Sequence, residues 1–312
     1  MLKQLLFWVL MCLATSSIKA QLAPHLVIDL GEGDSFSESN FPLRYSFDDY
    51  VIFRSYDGDF RSLWLTDGRK SGTFKLVDFN EGERINRFVE LGQYIYVSTF
   101  GSDIDENNIY QIDKNSFEVS SILKEEESVR YLTHFENSLF YFSEDDLKKL
   151  DLNTLISEVV YSFDSFYGAD RMIVLNDQLF IIAGRSNGTF LFTSDGTTEG
   201  TDYHTYLGDI TVPVDFNLIK VNEQLACFYY GQSDDYLLYS TDGTEEGTQP
   251  LKTFKEILST DYYTAFDDKL VFNTDLPFLP SGDNRCFVSD GTPEGTIQLF
   301  QDDNNRLWSV IL

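Results

Sequence analysis

Near its end the chain reads "CFVSDGTPEGT" (residues 286–296), and the phrase recurs as "LFTSDGTTEGT" (191–201) and "LYSTDGTEEGT" (238–248). A worn copy, "LWLTDGRKSGT", occupies residues 63–73. Taken singly, an acidic glycine-rich loop looks like a cradle for a metal or a phosphate. Taken as a set, it spells a turn. Asp accepts amide hydrogen bonds across a reversal, the first Gly takes positive φ, and Thr opens the next strand. The second Gly-Thr permits a bulge or a wider reversal before pairing resumes. The structural turn residues on this reading are Asp67, Gly68, Asp195, Gly196, Asp242, Gly243, Asp290 and Gly291.

A polar turn followed by an apolar strand lies upstream of each copy: "FDDYVIF" at Phe47, "LGQYIYV" at Leu91, "FENSLFYF" at Phe135, "LNDQLFII" at Leu175, "VNEQLACF" at Val221 and "FDDKLVF" at Phe266. The first large residues after these turns, from Tyr50 to Leu270, are spaced by 44, 45, 40, 46 and 45 residues. The apolar residues four places before the turn aspartates follow a matching march of 46, 38, 44, 47 and 48. Units two and three lack the Gly-Thr pairs but keep an aspartate, Asp113 and Asp151, in an Asp-x-Asn-Ser/Thr hairpin spelling. An aspartate that persists while its neighbours change is what a turn requires.

Each unit holds four short extended segments, and sustained 3.6-residue periodicity is scarce. Four strands in 40 to 50 residues is the blade pattern of a β-propeller. The expected fold is all-β: a propeller of about six four-stranded blades, or a truncated seven-bladed ring or longer array. Aromatics at 15% supply ample core material. The units fall near residues 36–80, 81–124, 125–164, 165–208, 209–255 and 256–301, in a single domain spanning 21–312. Extra strand segments lie at 25–30 and 306–312.

Residues 1–20 read as an export signal: Lys3, then the apolar run "LLFWVLMCLA", then a cleavage point after Ala20. This predicts a secreted, extracellular or cell-surface protein. The formal charge of −28 repels phosphate backbones and anionic lipid, which argues against nucleic acid and membrane insertion. Cys227 and Cys286, in apolar strand patterns of different units, read as small buried hydrophobes.

The pattern L-aromatic-x-[ST]-D-G-T-x-x-G-T resembles that of bacterial ELWxxDGT-repeat secreted proteins. The likeness covers all six units loosely and four well. Trp64, Tyr110, Phe192, Tyr239 and Phe287 hold the aromatic slot, and Lys148 departs from it. The family's opening glutamate is replaced throughout, by Ser62, Asn108, Asp146, Phe190, Leu237 and Arg285. The resemblance implies export and a propeller-like β-repeat fold, and carries no ligand over unit by unit.

Catalytic chemistry has little purchase in the sequence. His25, His134 and His204 fall at non-equivalent places, and no nucleophile-elbow sequence accompanies them. The specific metal candidate is calcium at Asp103, Asp105 and Asn107, alternate oxygen donors in "GSDIDENN". Asn108 stands there where a calcium loop has Gly, and Lys114 where it has its closing Glu. No other cofactor is indicated. The expected function is a monomeric, non-enzymatic binding or scaffold module for protein or glycan. The alternatives are a propeller hydrolase or lyase with an axial acidic site, and a structural spacer of a larger adhesin. Variable loops joining second and third strands, such as residues 54–62 and 274–285, are expected to share one face.

Overall fold

The computed structural model describes residues 44–57, 60–80, 82–101, 107–163, 169–185, 188–208, 217–222, 226–232, 235–242, 244, 246–254, 257–275 and 284–302. Residues 1–20, read above as an export signal, and the segments 25–30 and 306–312 lie outside these residues. Blade 1 comprises β1 (Arg44–Phe47), β2 (Tyr50–Asp57), β3 (Phe60–Thr66) and β4 (Phe74–Asp78). Blade 2 comprises β5 (Arg84–Leu91), β6 (Tyr94–Phe100), β7 (Asn107–Asp113) and β8 (Val119–Glu125). Blade 3 follows with β9 (Arg130–Phe135), β10 (Ser138–Ser143), β11 (Asp146–Asp151) and β12 (Ile156–Ser162). Blade 4 holds β13 (Ala169–Leu175), β14 (Gln178–Arg185), β15 (Gly188–Ser194) and β16 (Asp202–Gly208). Blade 5 holds β17 (Asn217–Lys220), β18 (Ala226–Gln232), β19 (Asp235–Thr241) and β20 (Gln249–Phe254). Blade 6 holds β21 (Ile257–Phe266), β22 (Lys269–Asp275), β23 (Asn284–Ser289) and β24 (Ile297–Asp302).

Each blade is a four-stranded antiparallel sheet whose strands pair in chain order. The first strands of successive blades adjoin, β5 to β9, β9 to β13, β13 to β17 and β17 to β21, so these strands surround the axis. The β-propeller expected from the repeat is the fold the chain adopts.

Local chemistry explains the hairpins. Asn176 and Asp177 both have positive φ, 49° and 56°, as do Asp267 and Asp268, 49° and 57°. A two-residue turn with both residues left-handed matches strand twist, and Asn and Asp tolerate that region. The sequence phrases "LNDQ" and "FDDK" are therefore turn instructions.

Side-chain alternation then welds blade to blade. All six residues of β10 are buried. Leu139 and Tyr141 pack with Val89, Tyr96 and Ile109 of blade 2. Phe140 and Phe142 face the other way, onto Met172, Leu179 and Ile181 of blade 4. β14 repeats the scheme, sending Leu179, Ile181 and Ala183 back to blade 3 and Phe180 and Ile182 on to Leu237 and Tyr239 of blade 5. Strand residues alternate between faces, so a strand covered on both sides carries a continuous apolar run, here Leu139 to Phe142 between Ser138 and Ser143. Burying one such side chain contributes about 1.5–3 kcal/mol. Cys286 belongs to this buried set, with its thiol free, and burial pushes its pKa up.

The order of strands also sorts the connections. Turns between strands one and two and between three and four lie on one face of the ring, called here the turn face. Connections between strands two and three, and the starts of the first strands, lie on the opposite loop face.

Candidate functional site

The repeated turns occupy the turn face, and their polar groups are engaged within the protein. In blade 4, Asp195 Oδ1 accepts from Thr197 N at 2.9 Å and Thr197 Oγ1 at 2.7 Å. Gly200 N donates to Thr197 Oγ1 at 3.0 Å, and Thr201 Oγ1 donates to Thr197 O at 2.6 Å. Ser194 Oγ and Thr201 Oγ1 meet at 2.6 Å across the base. Asp290, Thr292, Gly295 and Thr296 reproduce this set in blade 6. The second glycine is explained by space: a Cβ on Gly72, Gly200, Gly247 or Gly295 would overlap the turn aspartate's carboxylate. The first glycine has positive φ, 82° at Gly68, 85° at Gly196 and 87° at Gly291, where a side chain is strained. Gly243 lies outside the described residues. The Thr197 hydroxyl first, then its amide, hold the Asp195 carboxyl below the usual range, and Thr292 does the same for Asp290.

These turns also latch onto the preceding blade. A Cβ on Gly196 would come 2.9 Å from Phe140 Cζ of blade 3. Asn176 Nδ2 of blade 4 donates to Asp242 O of blade 5. Ser240 Oγ of blade 5 donates to Gly291 O of blade 6 at 2.8 Å. In blade 2, which lacks Gly-Thr, Phe117 supplies the latch, meeting Tyr50 edge-on with centroids 5.0 Å apart. The sequence did not reveal that substitute.

The loop face has a different composition. Among the described residues, nine of ten arginines sit at the loop-face end or in the loop-face half of their strands, Arg69 being the exception. Five are on first strands: Arg44, Arg84, Arg87, Arg130 and Arg171. The others, Arg54, Arg61, Arg185 and Arg285, flank connections between strands two and three. Lysines are not sorted this way; Lys70, Lys75, Lys114, Lys220 and Lys269 lie toward the turn face.

Three of the axial arginines recur at one register: Arg87 pairs with Ser98, Arg130 with Phe142 and Arg171 with Ile182, each the fifth residue of its second strand. They are separated by 43 and 41 residues, close to the period of the repeat, while Arg44 pairs with Phe53, the fourth residue of β2, one place out of that register. In three blades the first strand is bulged beside its arginine: between Ile85 and Arg87, opposite Phe140 to Phe142, and between Ala169 and Arg171. A bulge bends the strand and re-aims neighbouring side chains. Tyr131, next to Arg130, has φ of 54°, a costly conformation for a bulky residue. Its amide donates to Asn86 Oδ1 of blade 2 at 3.2 Å, tying adjacent bulges together. Arg84 is exposed, and Arg87 and Arg130 are half-buried. Arg130 Nη2 donates to Glu144 O at 2.6 Å, which holds the start of β9 against the β10–β11 turn.

The first strands carry six basic residues, the five arginines and Lys220, against three acidic ones, Glu90, Asp170 and Asp261. Glu90 is held by Lys114 Nζ at 2.6 Å and Tyr45 OH at 2.7 Å, with Lys114 the main cause of its lowered pKa. His134 near the other end of β9 is exposed; desolvation first, and the Lys220 charge second, lower its pKa.

The other candidates are dispersed. Asp103 and Asp105 lie outside the described residues. Asn107 is buried, with Oδ1 accepting from Gly101 N at 2.9 Å and Nδ2 donating to Glu126 O at 3.2 Å. Among the described residues, no group of three or more His, Cys, Asp or Glu is arranged to hold a metal ion. His204 lies on the outer strand β16, edge-on to Phe180, while His134 is on the axial strand β9. His25 and the side chain of Cys227 lie outside the description.

No protein-family model matches the chain. No curated protein matches it in sequence. In three dimensions it is similar to a prolyl endopeptidase, with TM-score 0.55 and 12% identity over 82% of this chain. It spans 42% of that enzyme's length. It is also similar to an oligogalacturonate lyase solved with manganese, with TM-score 0.54, 16% identity, and coverage of 84% of this chain and 74% of the other. At these identities the likeness establishes the β-propeller fold and nothing about chemistry.

Proposed function

We propose that the chain is an exported, non-catalytic binding propeller that takes its ligand at the loop-face end of the axis. The observation that carries this is the recurrence of an arginine beside a first-strand bulge in three successive blades, Arg87, Arg130 and Arg171, with exposed Arg84 at the start of β5. Binding residues sit on loops and element ends held by a rigid scaffold, and the inter-blade cores supply that scaffold. The repeated turn is a poorer candidate, since its carboxylates and hydroxyls bond one another. The leader-like residues 1–20 support export. The test is a glycan array run at about 0.15 M salt, with and without calcium, using wild type and Arg84→Gln. Hits weakened by the substitution are expected. Hits that ignore Arg84 but vanish on altering the turn at Asp290 would place the site on the wrong face.

A further inference from the structure

We infer that the joint between blade 6 and blade 1 is a docking site for residues 306–312, "RLWSVIL", as a seventh first strand. Among the described residues, apolar cores join blades 1 and 2, 2 and 3, 3 and 4, 4 and 5, and 5 and 6. Among the same residues, no such core joins blade 6 to blade 1.

The two faces that border this joint are apolar and incompletely covered. Counted from the turn between strands one and two, Val51 and Phe53 of β2 stand at the places of Leu139 and Tyr141 in β10 and of Leu179 and Ile181 in β14. Those four side chains are fully buried in cores shared with the preceding blade, whereas Val51 and Phe53 are half-buried. Ser46 of β1 is exposed, while Val174, at the same place in β13, packs into the core of blades 3 and 4. Across the joint, Val271 of β22 is half-buried at the place where Phe140 and Phe180 are each 1% exposed. Direct packing of blade 6 on blade 1 would cover these positions as it covers their counterparts.

Spacing along the chain identifies the occupant. The phrases that open at Phe47, Leu91, Phe135, Leu175, Val221 and Phe266 are 44, 44, 40, 46 and 45 residues apart, and Leu312 follows Phe266 by 46. Residues 306–312, outside the described residues, therefore fall where a seventh first strand is due. Their apolar run suits a strand covered on both faces. Arg306 comes four residues after β24 ends at Asp302, and each earlier fourth strand likewise leads into the next first strand. A lone strand also brings unpaired backbone carbonyls, and the joint holds a matching donor. Trp64 pairs with Phe53 and shares its face, and its Nε1 is buried with no hydrogen-bond partner among the described residues. A buried indole N–H ordinarily has an acceptor, which a carbonyl of the docked strand would supply.

Cys286 reports on the joint: it pairs with Asn273, two places from Val271 and on the same face of blade 6, and its thiol is free and buried. The experiment is maleimide labelling of Cys286, read by mass spectrometry of its own peptide, in the full chain, in a chain ending at Asn305 and in Trp308→Ala. Both changes should speed labelling about tenfold or more, the effect of uncovering one buried apolar side chain. Synthetic RLWSVIL added to the shortened chain should slow labelling again, saturably. Hydrogen exchange in β10 and β14 should stay unchanged, which separates an opened joint from global unfolding. If the shortened chain does not fold, Trp308→Ala decides: faster labelling with β10 still protected supports the docking, and unchanged labelling overturns it. Labelling indifferent to both changes would overturn the proposal in favour of blade 6 closing directly on blade 1. Labelling of the full chain that speeds on dilution would overturn it in favour of a second copy in the joint.

Discussion

Replacing Gly200 by Ala should destabilise the protein by about 2 kcal/mol, and removing Asp195 should abolish most of that cost. Gly200 has no positive φ, so its backbone accepts alanine; the obstacle is the Asp195 carboxylate occupying the Cβ position. Accommodating the methyl group forces the carboxylate away from Thr197 N and Thr197 Oγ1, its partners at 2.9 and 2.7 Å. Each bond contributes about 1 kcal/mol after discounting for solvent exposure. Asp195→Ala deletes the same two bonds and should cost about as much. In the double variant nothing remains to collide, and the alanine gains a few tenths of a kcal/mol from a less flexible unfolded chain. The double should therefore resemble either single, with a coupling of about 1.5–2 kcal/mol. Urea unfolding followed by tryptophan fluorescence, with unchanged m-values, measures the cycle. Additive costs, near 4 kcal/mol in the double, would refute the claim that Asp and Gly occupy one space.

Arg69 occupies the threonine slot of the worn blade 1 turn, and Gly72 N uses Arg69 O at 3.1 Å instead of a hydroxyl. Arg69→Thr should restore the hydroxyl bridge and raise stability by about 0.5–1 kcal/mol, read as a higher urea midpoint. Leu155 has φ of 56° and is 46% exposed, so Leu155→Gly should relieve left-handed strain and gain about 0.5 kcal/mol, net of added unfolded-chain freedom. The lowered carboxyl pKa values of Asp195, Asp290 and Glu90 mean that the unfolded chain binds protons first on acidification. Their contribution is complete above about pH 4.3 and disappears as pH falls through the native values. Urea midpoints at pH 7, 4 and 3 should fall less steeply in Asp195→Asn/Asp290→Asn than in wild type, and parallel slopes would remove these groups as the cause.

The fold was legible because its instructions are local and repeated. Two-residue turns such as Asn176-Asp177 and continuous apolar runs such as "LFYF" recur at the blade period, and each has one physical reading. The turn aspartates were legible for the same reason. The latch made by Phe117 was not, because it replaces a glycine contact with an aromatic one and shares no residue type with it. The recurrence of Arg87, Arg130 and Arg171 was hidden differently. Its 43- and 41-residue spacing is present in the sequence, but the bulges at Asn86, Tyr131 and Asp170 break its phase against the turns. Only when first strands meet around an axis do residues 43 apart become neighbours. The calcium candidate depends on Asp103 and Asp105, whose arrangement pattern alone does not give.

The central claim divides the molecule into a turn face that holds blades together and a loop face that binds. Measuring the urea midpoint and the affinity for the strongest glycan hit of the array in the same two variants, Asp290→Ala and Arg84→Gln, tests it most directly. Asp290→Ala should lower the midpoint and leave affinity unchanged, whereas Arg84→Gln should weaken binding about five- to tenfold and leave the midpoint unchanged. Loss of affinity in Asp290→Ala with Arg84→Gln unaffected would contradict the division.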